Sequence, residues 1–374
     1  MILVLEPNIR PESPDYRMLA AQLERLANVE FRVHREVGSE VTLTEIYLIG
    51  NTAALTLEQM QALPCVAKVV RVSEPYRVLG RHQQGDDRPS SFEYNGVRFG
   101  QDSLNVFAGL CAVDSKESVE AMMKALRDAG QVCTRMGAYK PRTSPYAFQG
   151  HGAKCLDYVF ELAGRYGIRV ISMEVTHESH VDEIRQALAA TGNPTGVMLQ
   201  IGTRNTQNFE LLKHVGRQQE FPVLIKRGFG ITLDESLNAA EYLATEGNRK
   251  VVFCLRGMKT NMGDPHRNFV DFSHVPVVKR LTRMPVAIDP SHSVGIRARA
   301  PDGLLDIFHV VAQGVVAGAN MILADFHPDP PRALVDGAQA LFLSELRPFL
   351  DDIALARDCY EKRMSVAREQ RSAH

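Results

Sequence analysis

From Val106 onward the chain alternates short runs of apolar, largely β-branched residues with amphipathic stretches of helical period. The runs read VFAGLCAV, VCTRMGAY, VISMEV, VMLQIGTR, VLIKRGF, VVFCLRGM, VAIDPSH and MILADFH. Segments such as SKESVEAMMKALRDAG, AKCLDYVFELAGRYG and LDESLNAAEYLATEG separate them. Runs this apolar suit strands buried on both faces, and a helix between successive strands indicates a parallel sheet. Eight such units over roughly 240 residues match a (β/α)8 barrel in count and length. An open doubly wound sheet is the rival, but no GxGxxG follows a strand.

The first 75 residues follow another rhythm. ILVLEPNI reads as a strand, DYRMLAAQLERLAN as a helix, FRVHREV and EIYLIGN as strands, LTLEQMQAL as a helix and VAKVVRVSE as a strand. That βαββαβ order is the ferredoxin-like arrangement. The expected organisation is therefore a ferredoxin-like domain over 1–75, a polar linker with a short hairpin over 76–100, and a barrel over 101–350. A C-terminal helix and tail take up 351–374, and the polar end MSVAREQRSAH is expected to fray.

Composition narrows the function. A net charge of -1 gives no electrostatic case for nucleic acid or an anionic membrane as partner, so any attraction for anions has to be local. No apolar run is long enough to span a bilayer, and the acidic and Pro residues near the N-terminus do not suit a signal peptide. A cytoplasmic location is expected. The six cysteines are scattered without CxxC pairing, which argues against a disulfide framework and for small buried residues. His151, His177 and His180 lie in polar segments and are expected to be solvated.

Chemistry concentrates at the C-terminal ends of the runs, where barrel enzymes build their sites. Arg135, Arg204, Lys226 with Arg227, Arg256, Asp289 with His292, and Asp325 with His327 fall there, on six of eight runs. Several cations at one barrel mouth call for a multiply charged, phosphorylated acid, with Arg giving bidentate donors and Lys a point charge. Lys140-Pro141-Arg142-Thr143-Ser144 packs cations and hydroxyls into one loop, which suits an oxyanion. Separately, Cys111, His292, Asp325 and Asp336 combine thiolate, imidazole and carboxylate. That mixture suits one divalent metal ion such as Mn²⁺, Fe²⁺, Zn²⁺ or Co²⁺. His327 is either a competing ligand or a neighbour behind the ligands.

At these residues the chain resembles 3-deoxy-D-arabino-heptulosonate 7-phosphate (DAHP) synthase, in the subfamily with an N-terminal ferredoxin-like regulatory domain. GAYKPRTSPYAFQG is the most specific match, followed in order by QIGTRNTQNFELL, LIKRGFG, AAEYLATEGN, RGMKT, VPVVKRLTRMPVAIDPSH and HPDPPRALVDGAQ. KPRTS and DPSH separate the chain from sister synthases that take arabinose 5-phosphate.

The resemblance implies a first step of the shikimate pathway, in which C3 of phosphoenolpyruvate attacks the aldehyde of erythrose 4-phosphate. It implies Arg135, Lys140, Arg204, Lys226 and Arg256 at phosphoenolpyruvate, and Arg142, Thr143 and Ser144 at the aldose phosphate. Cys111, His292, Asp325 and Asp336 would bind the metal, with Lys140, His292 and Asp289 as the catalytic residues. An aromatic amino acid effector and a homodimer or homotetramer are also implied.

Departures cluster at the site. Leu110, Met136, Thr203 and Leu255 stand where the family has other residues, and Asp325 replaces a Glu. The shorter side chain retracts its carboxylate by about 1.5 Å. Two alternatives remain open: a synthase of secondary metabolism taking another aldehyde, and a non-catalytic barrel binding a phosphorylated ligand.

Overall fold

The computed structural model describes residues 1–37, 41–52, 55–71, 76–81, 90–261 and 265–372. Much of the expected linker, residues 82–89, lies outside them. The chain divides into two compact units, Met1–Arg77 and Val78–His374.

The first unit runs β1 (Ile2–Leu5), α1 (Pro14–Leu23), β2 (Val29–Val37), β3 (Thr42–Gly50), α2 (Leu57–Gln61) and β4 (Val66–Val70). The sheet order is β2-β3-β1-β4, with antiparallel neighbours throughout. Local chemistry starts both helices. Ser13 accepts from Tyr16 N–H ahead of Pro14, and Thr56 forms a reciprocal capping box with Gln59. Leu19, Leu23 and Met60 from the helices pack on Leu3, Leu5, Ile46 and Leu48 from the sheet.

The second unit opens with a hairpin, β5 (Phe92–Tyr94) and β6 (Val97–Phe99). Asn95 and Gly96 both have positive φ, as a two-residue hairpin turn requires. The barrel strands are β7 (Asn105–Leu110), β8 (Cys133–Met136), β9 (Val170–Val175), β10 (Gly196–Ile201), β11 (Val223–Lys226), β12 (Val251–Leu255), β13 (Val286–Ile288) and β14 (Met321–His327). Each pairs in parallel with the next, and β14 pairs with β7 to close the ring.

Helices α3 (Lys116–Asp128), α4 (Leu156–Tyr166), α5 (Ser179–Ala190), α6 (Phe209–Arg217), α7 (Leu233–Thr245) and α8 (Val275–Leu281) make the outer connections between the early strands. A one-turn α9 (Pro290–Val294) and α10 (Asp306–Val316) join β13 to β14. A short β15 (Leu341–Phe342) beside β14 and a long α11 (Leu346–Ser372) follow. The barrel is the one that the eight runs predict. Val97 and Phe99 of the hairpin pack with Phe107, Met198, Leu224 and Met321 near the strands' N-terminal ends. That end is plugged, and the opposite mouth is free for chemistry.

The expected fraying tail is helical through Ser372. Side-chain pairs one turn apart support it, with Arg357 on Glu361 at 2.7 Å, Lys362 on Asp358 at 2.6 Å and Ser365 on Glu369 at 3.3 Å. Among the described residues no helix is long and apolar enough to cross a membrane.

Candidate active site

Asp289-Pro290-Ser291-His292 shows how sequence places a side chain at the mouth. Pro290 begins α9, and Asp289 caps it by accepting from His292 N–H at 3.0 Å. The same carboxylate lies 3.0–3.1 Å from His292 Nδ1. The ring is thereby oriented with Nε2 facing the barrel mouth, as a metal-binding histidine needs. Ser291 Oγ accepts from Asp325 N–H at 2.8 Å, joining this turn to β14.

Around Nε2 stand Cys111 Sγ at 3.6 Å and Asp336 Oδ2 at 3.5 Å, themselves 3.1 Å apart. Ligands about 2.1 Å from one tetrahedral ion lie roughly 3.4 Å from each other, so this triangle is of the right size. One donor atom from each of Cys111, His292, Asp325 and Asp336 lies within 4.8 Å of all the others. The mixed sulfur, nitrogen and oxygen set fits a divalent transition metal.

Asp325 is the member most engaged elsewhere. Its Oδ1 accepts from Arg135 at 2.5 Å and its Oδ2 from Gln339 Nε2 at 2.5 Å, and it is fully buried. Arg135 also reaches Cys111 Sγ at 3.5 Å. His327 is outside the cluster: its Nε2 donates to Asp114 Oδ2 at 2.6 Å, and its Nδ1 accepts from Asp329 N–H at 3.0 Å. It steadies the loop after β7 from behind.

Lys140 Nζ lies 2.8 Å from Cys111 Sγ and 3.6 Å from Asp336. Burial disfavours its charge, but Cys111, Glu174 and Asp336 outweigh burial and hold its pKa above the ordinary lysine value. Burial likewise works against charge on His292, yet Asp289, Asp325 and Cys111 bring it to about 10. Asp336 goes the other way: burial opposes its charge, and His292, Lys140 and Cys111 hold it well below the usual carboxylate range. The centre is a compact set of compensating charges. Cys133 and Cys155 differ, with thiols pushed up to about 12 by burial, and serve as packing.

Two cavities open from this cluster. The inner one, about 30 Å³, is lined by Lys140, Glu174, Gln200, Lys226, Arg204 and Arg256. Lys226 is paired with Asp289 at 2.5 Å. Arg256 is 2 % exposed and lies over the Phe229 ring at 4.7 Å, with no partner for Nε or Nη1 among the described residues. Such a guanidinium is ready for an anion. Gly202 borders this cavity because a Cβ there would lie 1.8 Å from Glu174 Oε1.

The outer cavity, about 230 Å³, is lined by Arg142, Thr143, Ser144, Arg204, Arg267 and Asp336. Its loop is closed by Lys140 N–H donating to Gln149 O at 2.9 Å, and Arg204 donates to Thr143 Oγ1 at 3.0 Å. Arg142 Nη1 is buried and unpaired among the described residues. Tyr139, next to the loop, stacks on His180 at 3.6 Å and donates to Glu183 at 2.6 Å. His180 is thus half-buried packing, whereas solvation was expected; His151 and His177 are exposed.

The sequence-proposed residues Cys111, Lys140, Lys226, Arg256, His292, Asp325 and Asp336 come together at this mouth, whereas His327 lies behind it. Arg227 points outward, bonded to Asp271 at 3.0 Å and to His274 at 2.9 Å. Sequence reasoning missed Glu174, Gln200, Arg267 and Gln339. Glu174 was visible as the one charge in VISMEV; Gln339 carries no charge to give it away.

Residues 80–354 match the DAHP synthetase I family, and residues 1–74 match the DAHP synthase ferredoxin-like domain. A phospho-2-dehydro-3-deoxyheptonate aldolase of Thermotoga maritima is 35% identical over 342 residues, 91% of this chain and 93% of its own length. A 2-dehydro-3-deoxyphosphooctonate aldolase of Stenotrophomonas maltophilia is 26% identical over 73% of this chain and 98% of its own. The crystal structure of a Thermotoga maritima DAHP synthase aligns with a TM-score of 0.70 at 33% identity, covering 96% of this chain and 97% of that one. The chain belongs to the DAHP synthetase I family, transferases of the first step of the shikimate pathway, and carries the associated ferredoxin-like domain.

Proposed function

We propose that the chain joins C3 of phosphoenolpyruvate to the aldehyde carbon of erythrose 4-phosphate at a divalent metal held by Cys111, His292, Asp325 and Asp336. The observation that carries this reading is the adjacency of a cation-lined cavity to a cysteine, histidine and aspartate cluster at one barrel mouth. A three-carbon enol acid and a four-carbon aldose give the seven-carbon 2-dehydro-3-deoxy acid of the relatives' name. When bound, the metal supplies a Lewis acid for the aldehyde carbonyl.

The side chains do the rest. Arg256, Lys226, Arg204 and Arg135 neutralise the carboxylate and phosphate of phosphoenolpyruvate. Arg142, Thr143 and Ser144 take the phosphate of the aldose. Holding two anions together against their repulsion is catalysis by proximity and electrostatics. As the C–C bond forms, water adds at C2 and inorganic phosphate leaves by C–O cleavage. Lys140, kept cationic beside Cys111, is placed to protonate the former aldehyde oxygen. Asp289 orients His292 and anchors Lys226.

Residues 1–75 act in this reading as a feedback domain for an aromatic amino acid, 101–350 as the catalytic barrel, and the enzyme works as a homodimer or homotetramer. The domain match supports the regulatory role.

The test is phosphate release by chelator-stripped protein with Mn²⁺ restored, comparing erythrose 4-phosphate with arabinose 5-phosphate. Metal-dependent turnover strongest with the tetrose is expected. Turnover only with another aldehyde establishes the alternative acceptor to which Met136 and Thr203 point. Phosphoenolpyruvate binding without any turnover leaves a binding barrel.

A further inference from the structure

Asp336 and Gln339 are the first and fourth residues of a turn closed by Gln339 N–H donating to Asp336 O at 3.2 Å. Asp336 has a left-handed backbone, φ 54°, which aspartate tolerates better than most residues. The turn brings both side chains to the barrel mouth. Gln339 is 2 % exposed. Its Nε2 donates to Asp325 Oδ2 at 2.5 Å, and its Oε1 accepts from Arg267 Nη1 at 3.0 Å. The same Arg267 nitrogen donates to Asp336 Oδ1 at 3.2 Å. With a carboxylate on one side and a guanidinium on the other, only one orientation of the amide satisfies both.

A single buried amide therefore links two carboxylates that come from different places in the chain. Asp325 depends on it more than Asp336 does. The rotation of a short carboxylate about its last bond is broad unless each oxygen has a donor. Arg135 directs Oδ1, and Gln339 directs Oδ2. Without the amide, Oδ2 is left buried with no donor closer than His292 Nδ1 at 3.7 Å, and the group is free to turn toward Arg135. Asp336, by contrast, keeps contacts with Cys111, Lys140 and His292.

We propose that Gln339 is the positioning residue of the metal centre, fixing Asp325 directly and Asp336 through Arg267 so that both present oxygens to one ion. This rests on the reading of Cys111, His292, Asp325 and Asp336 as the ligands. It assigns Gln339 no contact with substrate.

The test is titration of the full-length, metal-stripped protein with Mn²⁺ in competition with a chromophoric chelator, for wild type, Gln339→Leu and Gln339→Asn. Co²⁺ spectra and metal-free melting curves are recorded alongside. Gln339→Leu is expected to weaken Mn²⁺ roughly 10- to 100-fold, as loss of a partner behind a metal ligand does. Gln339→Asn keeps an amide and should fall between Leu and wild type. The visible bands of bound Co²⁺ should change in Gln339→Leu, with the Cys111 charge-transfer band retained. Equal Mn²⁺ affinity in all three proteins, with only the melting temperature lowered, overturns the inference and leaves a packing role. Wild type that takes up no metal overturns both this inference and the ligand reading beneath it.

Discussion

Replacing Arg256 by Met separates binding from stability, because the two should move in opposite directions. The guanidinium is 2 % exposed, with Nε and Nη1 unpaired among the described residues. In the substrate-free protein it is a desolvated cation without its full set of partners, which costs about 1–3 kcal/mol or more. Met fills a similar volume, so the substrate-free variant should unfold at the same or higher urea concentration than wild type. With phosphoenolpyruvate the sign reverses. Hydrogen bonds to charged groups contribute about 1.5–3 kcal/mol each. Loss of two lowers kcat/KM by roughly 10²- to 10⁴-fold. Substrate-induced stabilisation, about 2.7 kcal/mol at a hundredfold excess over Kd, should also vanish. Arg256→Lys should recover only part of the rate, since an ammonium lacks the planar fork. Steady-state kinetics with saturating aldose phosphate and urea unfolding with and without phosphoenolpyruvate make the assay. A variant that unfolds more easily while keeping its kcat/KM would show that Arg256 is structural.

Three further outcomes follow from the geometry. Gly150 has φ +91°, and a Cβ there would lie 2.1 Å from Ala138 O. Gly150→Ala should therefore displace the loop of Arg142 to Ser144, at a cost above about 1 kcal/mol. Its KM for the aldose phosphate should rise more than its KM for phosphoenolpyruvate. Cys111→Ser replaces a soft ligand by a hard one, so competition titration should show a larger loss of affinity for Zn²⁺ than for Mn²⁺. Lys279 is lowered to about 8 by burial, with Arg357 and Arg81 alongside. Its folded-state pKa lies below the unfolded one, so the cost of the buried cation is complete below pH 8 and is relieved as pH rises toward 10.5. Between pH 7.5 and 10, wild type should gain about 2 kcal/mol in urea unfolding relative to Lys279→Met; no difference in slope would show that Lys279 keeps an ordinary pKa.

The architecture was legible because it is periodic. Each barrel strand is a mostly apolar run with a helix after it, so the pattern repeats the topology eight times. The ferredoxin-like unit was equally readable, since Leu3, Leu5, Ile46 and Leu48 alternate with outward residues on their strands. The hairpin plug was only half visible. Asn95-Gly96 marks a turn, but nothing local says that Val97 and Phe99 bury themselves beneath the barrel; that depends on the cavity left by eight distant strand ends. The tail misled for the opposite reason. Polar composition suggested fraying, whereas the helix runs on through Ser372, with Ser365 donating to Glu369 within the tail.

At the site, the same distinction separates charges that announce themselves from groups that matter through their neighbours. Arg135, Lys226 and Arg256 stood out because a cation ending an apolar run is costly to place without a purpose. Their state did not: Arg135 is held by Asp325 and Lys226 by Asp289, while Arg256 has no partner for Nε or Nη1 among the described residues. Arg256 is thus freer than Arg135 or Lys226 to meet an anion, and Arg135 is tied to Asp325 and Cys111. The shorter Asp325 adds to this. Sequence named Asp325 as a ligand with a retracted carboxylate but could not say where it points; Arg135 on one oxygen and Gln339 on the other fix that. The substitution is therefore a matter of three side chains, from β8, β14 and the turn after it, and no single-position comparison reveals it. Changing Asp325 to Glu alone should crowd Arg135 or Gln339, and a longer carboxylate should be accepted best when one of those two is shortened with it.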